Sequence, residues 1–196
     1  LKEGWIDYVV PQLYWEIGHR LADYKTLIEW WNATVKRGHL YIGQSISSFS
    51  KPDLDNPEIN QTAAKKKLVR ELPNVHGNVW WPAWSLARHQ AGVQESLRTE
   101  WQKTPALIPA YTWLDSKAPA AVEGLKADGG KLVWNQKTKD AADPMQKALF
   151  YGVYCNGTLL KLVPNAEFEV EQKGKYTVTV VDRCWNESRG VEVEVL

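Results

Sequence analysis

Apolar positions follow two different rhythms along this chain. In the first half, continuous apolar runs alternate with stretches of helical period. "WIDYVVPQLYW" (5–15) is rich in strand formers and predicts a strand over roughly 6–14. A run with no polar face implies burial on both sides, as in a parallel sheet. Tyr24, Leu27, Ile28, Trp31 and Val35 then keep a helical period, with Asp23 as N-cap and Gly38 as C-terminal cap. "HLYIGQSI" (39–46) is a second strand, which opens into the polar loop "SSFSKPDLDN". Asn56 and Pro57 start a helix through Ile59, Ala63, Leu68 and Leu72, and Pro73 stops it. "GNVWWPAWS" (77–85) predicts a third strand, and Val93, Leu97 and Trp101 space a last helix by fours. The order β-α-β-α-β-α predicts parallel strands with right-handed crossovers.

The second rhythm begins after Trp113. "LDSKAPAA" (114–121) reads as a linker, where Pro119 bars regular pairing. No helical pattern follows. Short strands are expected near 122–127, 131–136, 149–155, 158–162, 166–171, 175–183 and 190–195. In "GKYTVTVVD", Tyr176, Val178 and Val180 alternate with Thr177 and Thr179, and "VEVEV" (191–195) alternates as well. Seven short strands with turns between them predict a β-sandwich. The fold class is thus α/β plus all-β, with domains at 1–114 and 115–196.

Composition narrows the function classes. The 196 residues suffice for one large domain or two small ones. The 24 basic and 23 acidic residues nearly cancel, so no nucleic-acid or membrane partner is expected. No apolar run approaches a membrane span. There is no His/Cys cluster and no phosphate-cradling glycine loop, so no metal or cofactor is expected. Cys155 and Cys184 make no framework, and free thiols or one disulfide both fit. The chain starts at Leu1 and reads as a piece excised or processed from a longer protein. Tryptophan is the outlier: 11 in all, nine of them before residue 115. Their flat faces serve cores and also stack on ligands.

Two residues of the first run fit a buried strand poorly. Pro11 cannot donate to a ladder and belongs at a strand end or bulge. Gln12 would be costly if buried without partners. Both suit the C-terminal mouth of a parallel strand, where α/β proteins place ligand sites.

"GWIDYVVPQLYW", "DYKTLIEWW", "LYIGQSI" and "GNVWWPAWSL", in that order, resemble the last part of the catalytic barrel of the glycosyl hydrolase-like family 10 proteins. The sharpest motif is Pro-Gln-x-Tyr-Trp at 11–15. The resemblance implies a bacterial envelope enzyme with a TIM-type barrel that continues into a fibronectin type III-like domain. Residues 116–196 look like that domain, with Trp134 on its second strand and Tyr176 near the start of its sixth. A complete barrel needs eight βα units and about 250 residues. Residues 1–103 supply three units, so the resemblance implies a partial (β/α)8 barrel, strands six to eight, in a C-terminal fragment. It further implies a periplasmic or outer-envelope location, as a lipoprotein, and a peptidoglycan-type glycan substrate. The missing N-terminal part of the barrel becomes a partner. Exposed barrel edges favour a homodimer.

Glycoside hydrolysis needs two carboxyl groups flanking the scissile bond, at the C-terminal ends of barrel strands. Glu16 directly follows the first strand and is the catalytic candidate, with His19 close behind it. Asp7 lies early in its strand and reads as structural, while Asp53 and Asp55 read as turn and capping residues. The resemblance implies that the principal acids lie upstream, so the fragment alone is expected to be inactive. The expected sugar-binding wall comprises Gln12, Tyr14, Trp15, His19, Gln44, Trp81 and Trp84. Glutamine both donates and accepts, which suits sugar hydroxyls, although bonding to neighbouring backbone is the equal alternative. Alternation forbids Trp80 and Trp81 from sharing a face. Trp30 and Trp31 read as helix packing or amphipathic surface. Asp182, Arg183, Glu187 and Arg189 read as a solvated loop and its edges; Trp185 in it is a weak candidate for a binding aromatic, and the default role of the sandwich is a spacer or a contact with the barrel. A non-catalytic carbohydrate-binding protein and a structural envelope module remain open on the same scaffold.

Overall fold

The computed structural model describes residues 1–48, 61–88, 92–135 and 137–196. The chain divides into two compact units, Leu1–Lys103 and Thr104–Leu196. The division precedes the 114/115 boundary suggested by the change of pattern. The Pro/Ala stretch expected as a linker belongs to the second unit, where the Gln146 amide donates to Asp115 Oδ2 (2.9 Å) and to the Lys117 carbonyl (3.1 Å).

The first unit is built on a three-stranded parallel sheet in the order β1-β2-β3, formed by Tyr8–Val9, His39–Ser45 and Val75–Trp81. The sheet is open at both edges. Helix α1 (Tyr24–Thr34) connects β1 to β2, and α2 (Gln61–Glu71) precedes β3. Asp23 caps α1 by accepting from the Thr26 amide and hydroxyl, each at 2.7 Å. Leu40 and Ile42 of β2 and Val75 of β3 pack against Tyr24 and Ile28 of α1, its C-cap Val35, and Val69 of α2. Both helices therefore cover one face of the sheet. Each fully buried Ile or Leu there contributes about 1.5–3 kcal/mol.

The first strand is shorter than the apolar run predicts. Tyr8 and Val9 pair regularly with His39 and Leu40. Beyond them Gly43 N–H donates to the Pro11 carbonyl (2.9 Å), and Leu13 N–H donates to the Gly43 carbonyl (3.1 Å). Pro11 has no N–H for the rung between, so the ladder continues only as a bridge from Gln12 to Gly43. Gly43 permits this close approach. A Cβ on it would meet the Pro11 carbonyl oxygen at 3.1 Å and Gln12 Cα at 3.2 Å.

Two further expectations need correction. The third strand ends at Trp81 and not at residue 85. Pro82 adopts an extended backbone and leads into α3 (Ala83–Ala87), which carries Trp84. The final helix is broken: α4 (Val93–Ser96) widens into a π-turn over Leu97–Trp101. Val93 and Leu97 remain buried, beside Ile46. Among the described residues, no helix is long and apolar enough to cross a membrane. The Asn56-Pro57 helix start lies outside the described residues.

Among the described residues, the second unit has seven strands in two antiparallel sheets. One has the order β4-β5-β8, from Lys126–Asp128, Lys131–Val133 and Glu167–Glu169. The other has the order β10-β9-β6-β7, from Val191–Val195, Gly174–Val181, Phe150–Cys155 and Thr158–Val163. Leu132 and Phe168 from the first sheet meet Tyr151, Val153, Tyr176 and Val178 from the second in one core. Trp134 packs edge-on against Tyr151, with centroids 5.2 Å apart. The Tyr176 hydroxyl donates to the Gln172 carbonyl at 2.8 Å. Cys155 and Cys184 are both buried thiols, not joined to each other.

The 182–189 loop is only partly solvated. Arg183 and Arg189 are exposed, but Asp182 is fully buried. Its Oδ1 accepts from the amides of Cys184 (2.8 Å) and Asn186 (2.9 Å). Glu187 Oε1 accepts from the hydroxyls of Tyr154 (2.6 Å) and Thr179 (2.7 Å). Asn32 and Asn186 are likewise engaged in internal hydrogen bonds.

Candidate functional site

The parity of β2 defines the site. Leu40, Ile42 and Gln44 lie on the helix-covered face, and Tyr41, Gly43 and Ser45 on the other. Their register partners share faces, so Gly77, Val79 and Trp81 of β3 join Tyr41, Gly43 and Ser45 on the open side. Gln12 covers Gly43 there, since a Cβ on Gly43 would meet Gln12 Cγ at 3.6 Å. The open face therefore carries Tyr8, Tyr41, Gln12, Val79, Ser45 and Trp81, together with His39, which is buried against the rings of Tyr41 and His76. Tyr8, Val79 and Trp81 are more than two-fifths exposed, Trp81 the most at 61%. Tyr8 meets Tyr41 edge-on, with centroids 6.0 Å apart.

The loop after β1 is held by helix side chains. Lys65 Nζ donates to the Trp15 carbonyl at 2.6 Å. The Gln61 amide grips Ile17 at both backbone groups, accepting from its N–H (3.0 Å) and donating to its carbonyl (3.2 Å). Gly18 N–H donates to Asp23 Oδ1 at 2.6 Å, and the Glu16 carbonyl accepts from the amides of His19 and Tyr24. Burial alone would raise the Asp23 carboxyl, but donors from Thr26, Gly18 and Lys25 hold it below its ordinary value. Glu16 thus sits, half-buried, in a backbone fixed on both sides. Fixed backbone is what a catalytic or binding carboxylate needs, because positioning is completed before substrate arrives.

The expected wall residues divide into three groups. Gln12, Trp15 and Trp81 are exposed, and Tyr14 is half-buried, where burial raises its phenol. His19 is turned inward to its own loop: Nδ1 accepts from the amides of Ala22 (3.1 Å) and Leu21 (3.4 Å). Its ring is a turn-forming group with Nδ1 engaged. Gln44 and Trp84 are elsewhere. Gln44 is buried on the helix side, where Nε2 donates to the Tyr24 hydroxyl (2.6 Å) and to Asn78 Oδ1 (2.9 Å). It ties α1 to β3 through a buried polar network, and parity excludes it from the open face. Trp84 stands on α3 with the Arg88 guanidinium 5.1 Å above its ring. Asp7 accepts from the His39 amide through its carbonyl at 2.9 Å, a backbone role. Asp53 and Asp55 lie outside the described residues.

Several residues of the site escape a reading by motif. Gln61 and Lys65 are four apart on α2, hence on one helix face, and that spacing was their only signal. Lys66 Nζ is wedged between indoles, 4.5 Å from the Trp101 ring and 5.2 Å from the Trp80 ring. Burial, with Arg70 nearby, pushes its amine down to about 7. His76 Nδ1 accepts from the Leu40 amide at 3.2 Å, and burial holds its imidazole below the ordinary value. Among the described residues, no group of three or more His, Cys, Asp or Glu is placed to hold a metal ion.

No family model matches the chain. It is 34% identical to the glycosyl hydrolase YngK of Bacillus subtilis over 217 aligned positions, covering 96% of this chain and 41% of that protein. It is 29% identical to the glycosyl hydrolase DigH of Escherichia coli K12 over 87 positions, covering 40% of this chain and 20% of that protein. The corresponding Shigella flexneri protein matches equally. The chain is glycosyl hydrolase-like in sequence. It spans less than half the length of these relatives.

Proposed function

We propose that this chain is the C-terminal part of a bacterial glycoside hydrolase acting on envelope glycan of the peptidoglycan type. The observation that carries this reading is the similarity to a protein named glycosyl hydrolase along 96% of the chain. In this reading, β1, β2 and β3 are the last strands of a (β/α)8 barrel. Their open face would then be barrel interior, and the loop bearing Glu16 would lie at its mouth. Parallel order and helices on a single face support this. The second unit is read as a fibronectin type III-like sandwich. Its two-sheet order supports that, as does the Tyr176 hydroxyl bound four residues upstream, a tyrosine-corner geometry.

The chain alone is inactive in this reading, because the partner carboxyl for Glu16 belongs to the missing strands. In this reading the open sheet edges pair with those strands in the whole protein, enclosing the bare face, and with a second copy when they are absent. The location would be the periplasm or outer envelope, with a lipid anchor on the parent. A second reading, a non-catalytic carbohydrate-binding protein, is favoured by the exposed Tyr8, Trp15 and Trp81 around a single candidate carboxylate.

The test is a tryptophan-fluorescence titration with peptide-free peptidoglycan glycan strands, beside an unrelated glucan. A saturable change with the former alone is expected, diminished by Trp81→Ala and by Gln12→Ala. Equal response to both glycans overturns the substrate assignment. Glycan turnover by this chain alone overturns its inactivity. A sedimentation measurement giving only monomer at micromolar concentration overturns the self-association.

A further inference from the structure

We infer that the hairpin tip Asp182–Asn186 in the second unit is a sugar-stacking site, with Trp185 as its platform. This rests on the glycan reading above and adds a second place of contact, in a unit that carries no part of the hydrolytic site.

The backbone of the tip is the starting point. Val181 and Glu187 pair across its base. Trp185 sits in the left-handed region, with φ +63°. A bulky non-glycine residue is strained there, whereas glycine would occupy the same turn without strain. The largest of all side chains has been kept where the backbone favours none, and strain of this kind marks functional positions.

The turn is also built to hold that residue still. Asp182 spends its buried carboxylate on the tip alone: Oδ1 takes the amides of Cys184 and Asn186, and Oδ2 takes the Asn186 side-chain amide at 3.0 Å. Trp185 N–H donates to the Asp182 carbonyl at 3.1 Å, and Asp182 N–H to the Asn186 carbonyl at 3.1 Å. A second segment braces the tip from outside. Tyr111 N–H donates to the Cys184 carbonyl (2.8 Å), and Asn186 Nδ2 to the Asp115 carbonyl (3.0 Å). The indole is half-buried and meets Phe150 at 6.0 Å with planes tilted by 43°. An aromatic ring fixed in this way loses little entropy on binding. Its neighbour Arg183 is exposed and offers guanidinium donors to hydroxyl or carboxylate oxygens at the rim. A flat apolar face beside charged donors suits the face of a pyranose ring.

The simpler reading makes Trp185 a packing residue against Phe150, and two substitutions separate these readings. Isothermal titration calorimetry of the whole chain with peptidoglycan glycan strands is run for wild type, Trp185→Gly and Trp185→Asn, each beside its melting temperature. Asparagine tolerates the same backbone conformation. The platform predicts at least tenfold weaker binding for both variants, with a melting temperature unchanged or raised as strain is relieved. A clear fall in melting temperature with unchanged affinity makes Trp185 a packing residue and overturns the inference. Wild-type binding that only Trp81→Ala weakens also overturns it, and leaves the glycan reading standing. Absence of any glycan binding by wild type removes both together.

Discussion

The sheet of the first unit is covered on one face and bare on the other, whereas the two sheets of the second unit cover each other. In the first, Leu40 and Ile42 are fully buried under helices, while Trp81 on the opposite side is 61% exposed. In the second, Leu132, Tyr151, Val153, Tyr176 and Val178 are all fully buried in one shared core. The exposed large apolar side chains of the second unit, Ile108, Leu114, Leu149 and Leu196, lie outside its strands, whereas the first unit places Tyr8, Val79 and Trp81 on one sheet face. A bare apolar face is costly to leave in water and marks a place where something else packs or binds. Function is therefore sought on the face in one unit and at a hairpin tip in the other.

Breaking the shared core gives the largest effect. Trp134→Ala removes a 7%-exposed indole packed edge-on against Tyr151 and should destabilise the second unit by about 3–5 kcal/mol. Calorimetry should show this loss in the second unit only. Equal loss in both would mean that they unfold as one. Gln44→Leu tests the first unit's core next. It strips donors from the Tyr24 hydroxyl and Asn78 Oδ1, and should cost about 1–3 kcal/mol for buried groups left unpaired. If it instead weakens glycan binding without loss of stability, Gln44 is a ligand after all.

Gln44 also illustrates what was legible. Counting by twos from Leu40 and Ile42 places Gln44 on the face that the helices cover. Position near a strand end outweighed parity, wrongly. Trp84 was misplaced for a related reason: Pro82 ends pairing, so the aromatics beyond it join a helix. Pro11 was read correctly as an interruption, because a missing N–H is local chemistry. The grip of Gln61 and Lys65 on the 15–17 backbone was not legible, since it depends on where α2 packs. Nor was the left-handed backbone of Trp185. The turn around it is held by the Asp182 carboxylate, which accepts the amides on either side of Trp185 and reads, in sequence, as a surface loop residue.

Alkaline pH should sharpen the contrast at smaller scale. The Lys66 amine is held at about 7 in the folded chain, against an ordinary 10.5. Between those values the unfolded chain binds a proton that the folded chain lacks, so first-unit stability rises with pH. One proton limits the slope to about 1.4 kcal/mol per pH unit, and partial solvation of the amine keeps it below that. His76 acts in the same sense lower down: its folded value is depressed, so stability is lost as pH falls below 6.5. Unfolding measured from pH 7 to 9.5 should show the first unit gaining while the second stays level. Lys66→Met should flatten the gain. A slope that persists in that variant would place the titrating group elsewhere.

The smallest stability effect is expected at the most exposed ring of the strands. Trp81 pairs with Ser45 at the C-terminal end of the sheet and projects from the bare face. Its removal deletes little packing, so Trp81→Ala should change stability by no more than about 0.5 kcal/mol. That near-neutrality is what gives the variant its value. A core tryptophan cannot be removed without unfolding its unit, so lost binding there says nothing about contact. At Trp81 the two readouts separate, and a stable variant with weakened glycan binding assigns the bare face to a ligand. A stable variant with unchanged binding but less self-association assigns it to protein contacts instead. A large loss of stability would mean that the face is covered in solution even in this chain.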